Sequence, residues 1–248
     1  YSVGDRVMCS GSSAWAEYAV ADHGRVIKIP INNMDYLKAS TYPIALATMH
    51  NAILTIGNFT KGQSILIQGA SSGVGLMGLQ IAKHLEAKIV IGTSTKADKF
   101  QKLKSLGADL VLNSKDSDWA NQVLSVTEGQ GVDLVIDQLS GYTVNQNMQA
   151  TKIKGKIVNV GRLAGGTTDF NCDIHALRRI NYEGVTFRTR SIDEIRDVYS
   201  KMWNDFENLV VSGELSLPVE KVFDFKDVEN ALSFMRDNQH FGKLVLKL

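Results

Sequence analysis

The sequence predicts an α/β protein built on a doubly wound parallel sheet, and three features of the chain indicate this fold class. An apolar run at residues 64–68 ends in a turn of small residues, and an amphipathic helical pattern follows it. From there to about residue 190, short strands alternate with helices, as in repeated β-α-β units. These strands are apolar almost throughout, which is typical of a parallel sheet covered on both faces. Right-handed crossovers then make the sheet doubly wound.

The remaining elements are predicted in chain order. Short strands are expected at residues 6–8, 18–20 and 25–29, and a helix broken near Pro43 is expected over residues 38–57. Further strands of the sheet are expected at residues 88–92, 110–112, 131–137, 155–161 and 184–188, with helices at 96–106, 119–127 and 142–150. After residue 190 we expect a helix at 192–211 ended by Gly213, a strand at 221–223, a helix at 226–237 and a strand at 243–246. These last pieces are expected to return to the β-rich N-terminal part.

Composition excludes several function classes. The 248 residues are 44% hydrophobic, enough for a sizeable core, and the net charge is +1, from 27 basic and 26 acidic side chains. Such a balance does not support nucleic acid as a partner. Apolar runs are too short to span a bilayer and no secretory leader is visible, so we expect a cytoplasmic protein without a membrane partner. Cys9 and Cys172 are isolated and are interpreted as inert thiols.

The turn after the first strand of the sheet predicts a dinucleotide site. Its small side chains leave room for a pyrophosphate against bare backbone, and the free N–H groups and positive end of the following helix favour that charge. The usual three-glycine spacing is not met letter for letter, because Gly69, Gly73, Gly75 and Gly78 share its role. The predicted binding residues of the turn are Ala70, Ser71, Ser72, Gly73, Val74 and Gly75.

Several segments, in this order, resemble one known family. They are residues 3–7, 15–18, 47–48, 69–75, 105–109, 131–133, 155–158 and 241–246. Over nearly the whole chain the sequence is similar to the zinc-independent quinone oxidoreductases of the medium-chain dehydrogenase/reductase superfamily. The resemblance implies a Rossmann dinucleotide-binding domain at 46–190, a partial GroES-like catalytic domain at 1–45, and a return to that domain at 191–248. Because family members have further barrel residues before residues 3–7, the GroES-like β-barrel is expected to be incomplete.

The end of the second strand of the sheet discriminates between cofactors. A carboxylate there would bind both adenosine ribose hydroxyls and repel a 2′-phosphate, whereas residues 92–95 contain none. Lys99 lies one helical turn further on, where the resembled family places a phosphate-binding lysine, so Ser94 and Lys99 are assigned to the cofactor. The absence of a like charge and the presence of this lysine favour NADP(H), which is the predicted cofactor. The alternative is that Lys99 is a solvated helix lysine like Lys96 and Lys102. Ser114 is included as a cofactor contact, although the family often has tyrosine at its position.

The resemblance implies further contacts with the cofactor. Thr48 is expected at the nicotinamide-phosphate end, and Gly161 and Arg162 are expected to line the nicotinamide pocket, although Arg162 is equally well read as a solvated loop residue. Phe241, Gly242 and Lys243 are expected to close over the cofactor. Asp137 is interpreted as a carboxylate that caps its loop rather than as a catalytic acid.

No metal site is predicted. Residues 44–46, before Thr48, contain no ligand, the histidines lack ligand spacing, and His50 is interpreted as a packed or surface side chain. The expected function is NADPH-dependent hydride transfer to a quinone or similar electron-poor acceptor, with no single acid–base residue. The alternatives are an enoyl-thioester or enone reductase of the same superfamily and a catalytically weak NADPH-binding protein. A homodimer is expected from the resemblance, with residues 184–188 as the paired sheet edge.

Overall fold

A computed structural model describes residues 1–30 and 34–248 of the chain. The described residues fall into two compact units. Unit 1 combines Tyr1–Ala47 with Phe187–Leu248, and unit 2 consists of Thr48–Thr186. The domain boundaries given above from the sequence stay predictions.

The described residues form ten strands and nine α-helices. The strands are β1 Val7–Cys9, β2 Val26–Lys28, β3 Ser64–Ile67, β4 Ile89–Thr93, β5 Leu110–Leu112, β6 Val132–Asp137, β7 Thr151–Asn159, β8 Asn181–Gly184, β9 Val219–Asp224 and β10 Lys243–Lys247. The helices are α1 Tyr36–Ala39, α2 Tyr42–His50, α3 Gly73–His84, α4 Phe100–Ser105, α5 Trp119–Val126, α6 Val144–Ala150, α7 Cys172–Arg178, α8 Ile192–Ser212 and α9 Val228–Arg236. A π-helical segment, Asn51–Ile56, continues α2.

Unit 2 contains one six-stranded sheet in the order β5-β4-β3-β6-β7-β8. All of its neighbouring strands are parallel. The chain starts in the middle at β3, moves outward to β5, crosses back to β6 and then moves outward to β8. The predicted fold class, α/β with a doubly wound parallel sheet of the Rossmann type, is therefore confirmed.

Both faces of this sheet are covered, as its apolar strands predicted. On one face, Leu66, Val135 and Ile157 belong to a buried cluster with Trp119 of α5 and Met148 of α6. On the other face α3 packs close to the sheet: a Cβ added at Gly78 would lie 3.0 Å from Ile67 Cδ1. The strands are buried from both sides because their alternate residues serve the two helix layers.

Two predicted strands were wrong. The sixth strand of the sheet is β8, at Asn181–Gly184, and not residues 184–188. Its register explains the shift, since Gly184 pairs with Asn159, the last residue of β7, so the chain has no neighbouring strand beyond this point. The sheet ends at β8 on this side and at β5 on the other. Pairing of the β8 edge with a second copy stays a prediction. Residues 18–20 form no strand, and Tyr18 and Val20 are 89% and 95% exposed.

One helix was missed by the sequence analysis. The polar segment before β8 contains α7, which begins after Asn171. The Asn171 side chain accepts a hydrogen bond of 3.0 Å from Ile174 N, as an N-cap residue does. Such a cap was the available signal, but the helix has only seven residues and its apolar pattern is weak.

Unit 1 contains part of a GroES-like domain. Strands β1 and β2 pair antiparallel, whereas β9 and β10 pair parallel. The long helix α8 begins with a capping box between Ser191 and Glu194 and ends at Gly213, which has φ +82°. Arg196 of α8 donates from Nε and Nη2 to the two carboxylate oxygens of Asp22, at 2.9 and 2.7 Å, which joins the two segments of this unit. None of the described helices is long and apolar enough to cross a membrane.

Asp133 joins the start of β6 to the start of β3. One of its carboxylate oxygens accepts from Ser64 N at 2.8 Å and Ser64 Oγ at 2.7 Å, and the other accepts from Lys152 Nζ at 3.0 Å. Burial by itself would raise the pKa of Asp133, but these hydrogen bonds outweigh burial and hold the pKa below its usual range. The ionised carboxylate therefore stabilises the folded state.

We expect Asp133→Asn to lower the free energy of unfolding by about 2 kcal/mol at pH 7, because charge-assisted hydrogen bonds are lost. Since the folded-state pKa is lowered, the stabilisation is present above about pH 4 and is lost as the pH falls through the folded-state pKa. Urea unfolding of both proteins between pH 3 and pH 7 measures this difference. The exposed Asp169→Asn is the matched control, and an equal loss in both variants would contradict the prediction.

Candidate functional site

The predicted dinucleotide turn joins β3 to α3 at the carboxyl edge of the sheet. Gly69 has φ +66°, a left-handed conformation that favours glycine. Ser72 is the N-cap of α3, and its Oγ accepts a hydrogen bond of 3.0 Å from Gly75 N. The first turn of α3 contains no acidic residue. The positive end of this twelve-residue helix therefore faces no carboxylate of its own first turn that would compete with a bound anion.

Gly75 allows the helix to approach the turn. A Cβ at this position would lie 2.6 Å from Gly69 O and 2.7 Å from Ala70 Cα, distances that backbone atoms do not tolerate. The small residues predicted in this turn therefore have a packing role, and their binding role stays a prediction. Ser71, Ser72 and Val74 are half-buried, whereas Ala70, Gly73 and Gly75 are buried.

A buried polar network supports the turn from below. Gln68, at the end of the apolar run, donates from Nε2 to Asn147 Oδ1 at 2.7 Å and accepts from Thr93 Oγ1 at 2.6 Å. Thr93 Oγ1 also accepts from Gly69 N at 3.1 Å. Gln138 Nε2 donates to Gln68 O at 2.9 Å, and Ser72 Oγ donates to Gln138 Oε1 at 3.0 Å.

These residues connect the turn to strands on both sides of β3. Gln68, Thr93 and Asn147 are fully buried, and a satisfied buried network of this kind makes its members rigid. Sequence reasoning missed Gln68, Gln138 and Asn147. The available signal was a glutamine at the end of an apolar strand, at the switch point of the sheet.

The end of β4 carries the residues predicted to select the cofactor. Ser94 and Lys99 are each 4% exposed. Ser94 Oγ donates to Ser71 Oγ at 3.4 Å, which places the end of β4 beside the turn. Ser94 N donates to Leu112 O at 3.0 Å, which places it beside β5 as well. The interpretation of Lys99 as a solvated lysine is wrong, since Lys96 nearby is exposed and Lys99 is buried.

Ser114, beyond the end of β5, is 2% exposed. Its Oγ lies 3.5 Å from the hydroxyl of Tyr142, which comes from the loop after β6. The structure therefore brings Ser71, Ser94 and Ser114 to one edge of the sheet, in the order of strands β3, β4 and β5.

The loops after β6 and β7 form the other half of this edge. Asp137 Oδ1 accepts from Leu139 N and Ser140 N, each at 2.9 Å, so the carboxylate caps its loop as predicted. Burial raises the pKa of Asp137, although these hydrogen bonds act in the opposite direction. Tyr182, whose hydroxyl lies 3.5 Å from Asp137 Oδ2, has its pKa raised to about 12 by burial and by that neighbouring carboxylate.

Gly161 lies against the loop after β6. A Cβ at Gly161 would lie 2.6 Å from Gln138 O. The loops are joined by hydrogen bonds from Val160 N to Asp137 O at 2.7 Å and from Ala164 N to Leu139 O at 2.8 Å. Ser140 Oγ also donates to Gly161 O at 2.8 Å. These contacts form the junction between the loops after β6 and β7.

A cavity of about 330 Å³ opens beside this junction. Its walls include Ser140, Asn159, Thr167, Phe170 and Tyr182, and Arg162 is an exposed residue of its rim. Arg162 thus lines a cavity and is exposed to solvent, and its contact with the nicotinamide stays a prediction.

The other predicted residues belong to α2 and to unit 1. Thr48 is a half-buried residue of α2, and the neighbouring His50 is 2% exposed, in agreement with a packed histidine. Phe241, Gly242 and Lys243 belong to unit 1, and their closure over a cofactor stays a prediction. Gly242, with φ +97°, forms the turn into β10, where a Cβ would lie 2.4 Å from Pro218 O. Burial lowers the pKa of Lys243.

The sheet order and the glycine-rich turn define a dinucleotide-binding domain of the Rossmann type. Residues 73–206 match the family model described as zinc-binding dehydrogenase. Because this match covers more than half of the chain, the chain belongs to that family, within the medium-chain dehydrogenase/reductase superfamily. Among residues 1–30 and 34–248, no group of three or more histidine, cysteine, aspartate or glutamate side chains could hold a metal ion.

Known proteins similar to the chain include synthases and oxidoreductases. Highly reducing polyketide synthase 40 of Fusarium pseudograminearum is 25% identical over 99% of this chain, which spans 10% of that synthase. A quinone oxidoreductase of Pseudomonas syringae pv. tomato DC3000 has a TM-score of 0.89 at 23% identity, covering 100% of this chain and 76% of that one. The CurK enoyl reductase has a TM-score of 0.77 at 24% identity, covering 90% of this chain and 66% of that one. The two structural likenesses show the shared fold.

We expect Gly161→Ala to separate the two loops, because the new Cβ meets the backbone oxygen of Gln138 rather than a movable side chain. The free energy of unfolding should fall by about 1–3 kcal/mol. Hydrogen exchange at the Leu163 and Ala164 amides, which donate to the loop after β6, should become faster. Gly184→Ala is the matched control, since a Cβ there meets nothing within 4 Å, and equal effects in both variants would contradict the prediction.

Proposed function

We propose that the chain binds NADPH and transfers hydride from it to a quinone or a similar electron-poor acceptor, without a metal ion. The observation that carries the proposal is the segment after β4. Residues 92–95 contain no carboxylate, Ser94 is buried beside Ser71 of the dinucleotide turn, and Lys99 is buried five residues further on. Family membership supports an oxidoreductase that uses a nicotinamide cofactor.

The residues of unit 2 fit the phosphate groups of such a cofactor. The N-terminus of α3 and the small residues before it suit the diphosphate. Lys99, Ser94 and Ser71 suit a 2′-phosphate on the adenosine ribose, because a cation and hydroxyl groups replace the carboxylate that would repel it. Ser114 extends this polar edge toward the adenosine end. In our proposal Thr48, Gly161 and Arg162 contact the nicotinamide half, and Phe241, Gly242 and Lys243 cover it.

Reduced nicotinamide would supply the hydride, so the task of the protein is to bind and orient the reactants. Asp137 is occupied in capping its loop, and Tyr182 has a raised pKa and is a poor proton donor. We therefore assign the proton to water and name no acid–base residue.

An enoyl-thioester or enone reductase is the second candidate. The likeness to a polyketide synthase and to the CurK enoyl reductase supports this acceptor class. Both candidates use the same cofactor edge and differ in the acceptor. A third candidate is a protein that binds NADPH with little catalysis. We further propose a homodimer, with β8 as an available sheet edge.

We expect Lys99→Glu to reduce the preference for NADPH over NADH by roughly tenfold or more, because a carboxylate then faces the 2′-phosphate. The ratio of the two dissociation constants, measured by titration of reduced-nicotinamide fluorescence, checks this. Lys96→Glu makes the same charge change at an exposed neighbour and should leave the ratio unchanged. If the ratio hardly moves in Lys99→Glu, the assignment of the 2′-phosphate to Lys99 is wrong.

Turnover with a panel of acceptors separates the candidate reactions. We expect NADPH oxidation to be faster with quinones than with enones or enoyl-thioesters in single-turnover absorbance measurements at 340 nm. Faster oxidation with enoyl-thioesters would favour the second candidate. Binding of NADPH without oxidation by any acceptor would favour the third.

A further inference from the structure

Tyr142 is a partly exposed aromatic side chain on a fixed backbone. Its neighbours Gly141 and Thr143 are buried, whereas Tyr142 itself is 48% exposed. Thr143 Oγ1 donates to Ser140 O at 2.9 Å, and a Cβ at Gly141 would lie 2.2 Å from Ala164 O. The backbone at residue 142 is therefore held on both sides, while the ring is accessible.

The Tyr142 ring lies at the adenosine end of the proposed cofactor site. With the diphosphate at the turn after β3 and the ribose at the end of β4, the base extends along the carboxyl edge toward β5. The Tyr142 hydroxyl lies 3.5 Å from Ser114 Oγ, just beyond β5. The loop after β6 thus brings the Tyr142 side chain to the end of β5, on the side of the sheet where the base would lie.

The same loop also borders the turn. A Cβ added at Gly69 would lie 3.2 Å from Leu139 Cδ2, so Leu139 lies against the turn while Tyr142 lies at Ser114. Aromatic rings bind nucleobases by stacking, and a ring held on a rigid backbone loses little conformational freedom on binding.

We propose that Tyr142 is a cofactor-binding residue whose ring stacks on the adenine of NADPH, with its hydroxyl beside Ser114 Oγ. This inference rests on the proposed function and adds a specificity residue to the same site. The ring supplies adenine affinity that is independent of the 2′-phosphate, which is assigned to Lys99 and Ser94.

Fragment binding by isothermal titration calorimetry tests the proposal on the full chain. The probes are adenosine 2′,5′-bisphosphate, which lacks nicotinamide, and reduced nicotinamide mononucleotide, which lacks adenine. We expect Tyr142→Ala to raise the dissociation constant of the adenosine fragment roughly 5- to 100-fold. Tyr142→Phe should retain most of the affinity, since the ring remains, and the nicotinamide fragment should bind both variants as it binds the unsubstituted chain.

Leu177→Ala is the matched control, because Leu177 is an exposed apolar side chain of the same unit. It should leave both dissociation constants unchanged. Adenosine-fragment affinity in Tyr142→Ala within twofold of the unsubstituted chain would overturn the inference and leave the proposed function intact. An equal loss for both fragments would also overturn it, because the change would then be a general disturbance. Failure of the unsubstituted chain to bind NADPH would overturn the proposed function and this inference together.

Discussion

The candidate site depends on the close approach of α3 to the turn after β3. Gly75 has no space for a Cβ against Gly69 O, and Ser72 caps the helix at the same point. This contact directs the positive end of the helix toward the carboxyl edge of the sheet, at the switch point between β3 and β6 where the strand order reverses. A side chain at Gly75 would move the helix away from the turn and disrupt the proposed diphosphate-binding surface.

The buried side chains directly beneath the turn are polar, unlike those of the surrounding apolar core. Gln68, Thr93 and Asn147 are buried, and hydrogen bonds join them to one another or to the turn. Such a network is costly if one member lacks a partner, and it enforces a single arrangement when every member is satisfied. It explains how neighbouring strands hold the turn in register without contacting a ligand. A turn that is already rigid loses less conformational entropy when a ligand binds to it.

The two halves of the carboxyl edge differ in chemistry. Hydroxyl groups and a buried lysine border the half formed by β3, β4 and β5. The half formed by β6, β7 and β8 contains the Asp137 carboxylate, which caps its loop, the Tyr182 phenol, whose pKa is raised, and a cavity. The first half suits recognition of a charged nucleotide. The second half is where we propose that the nicotinamide half of the cofactor binds, across the switch point of the sheet.

Local patterns in the sequence determined the order of strands and helices, the glycine-rich turn and the missing carboxylate after β4, because each depends on residues close together in the chain. Where patterns were short or polar, as at residues 18–20, α7 and β8, sequence reasoning failed, since pairing with a distant strand or a single cap decides those elements. Only the tertiary structure decided that Lys99 is buried, that Gln68 bonds to Asn147 and that Tyr142 reaches Ser114. The crossovers of the sheet bring these residues together from distant positions, and no local pattern records such contacts.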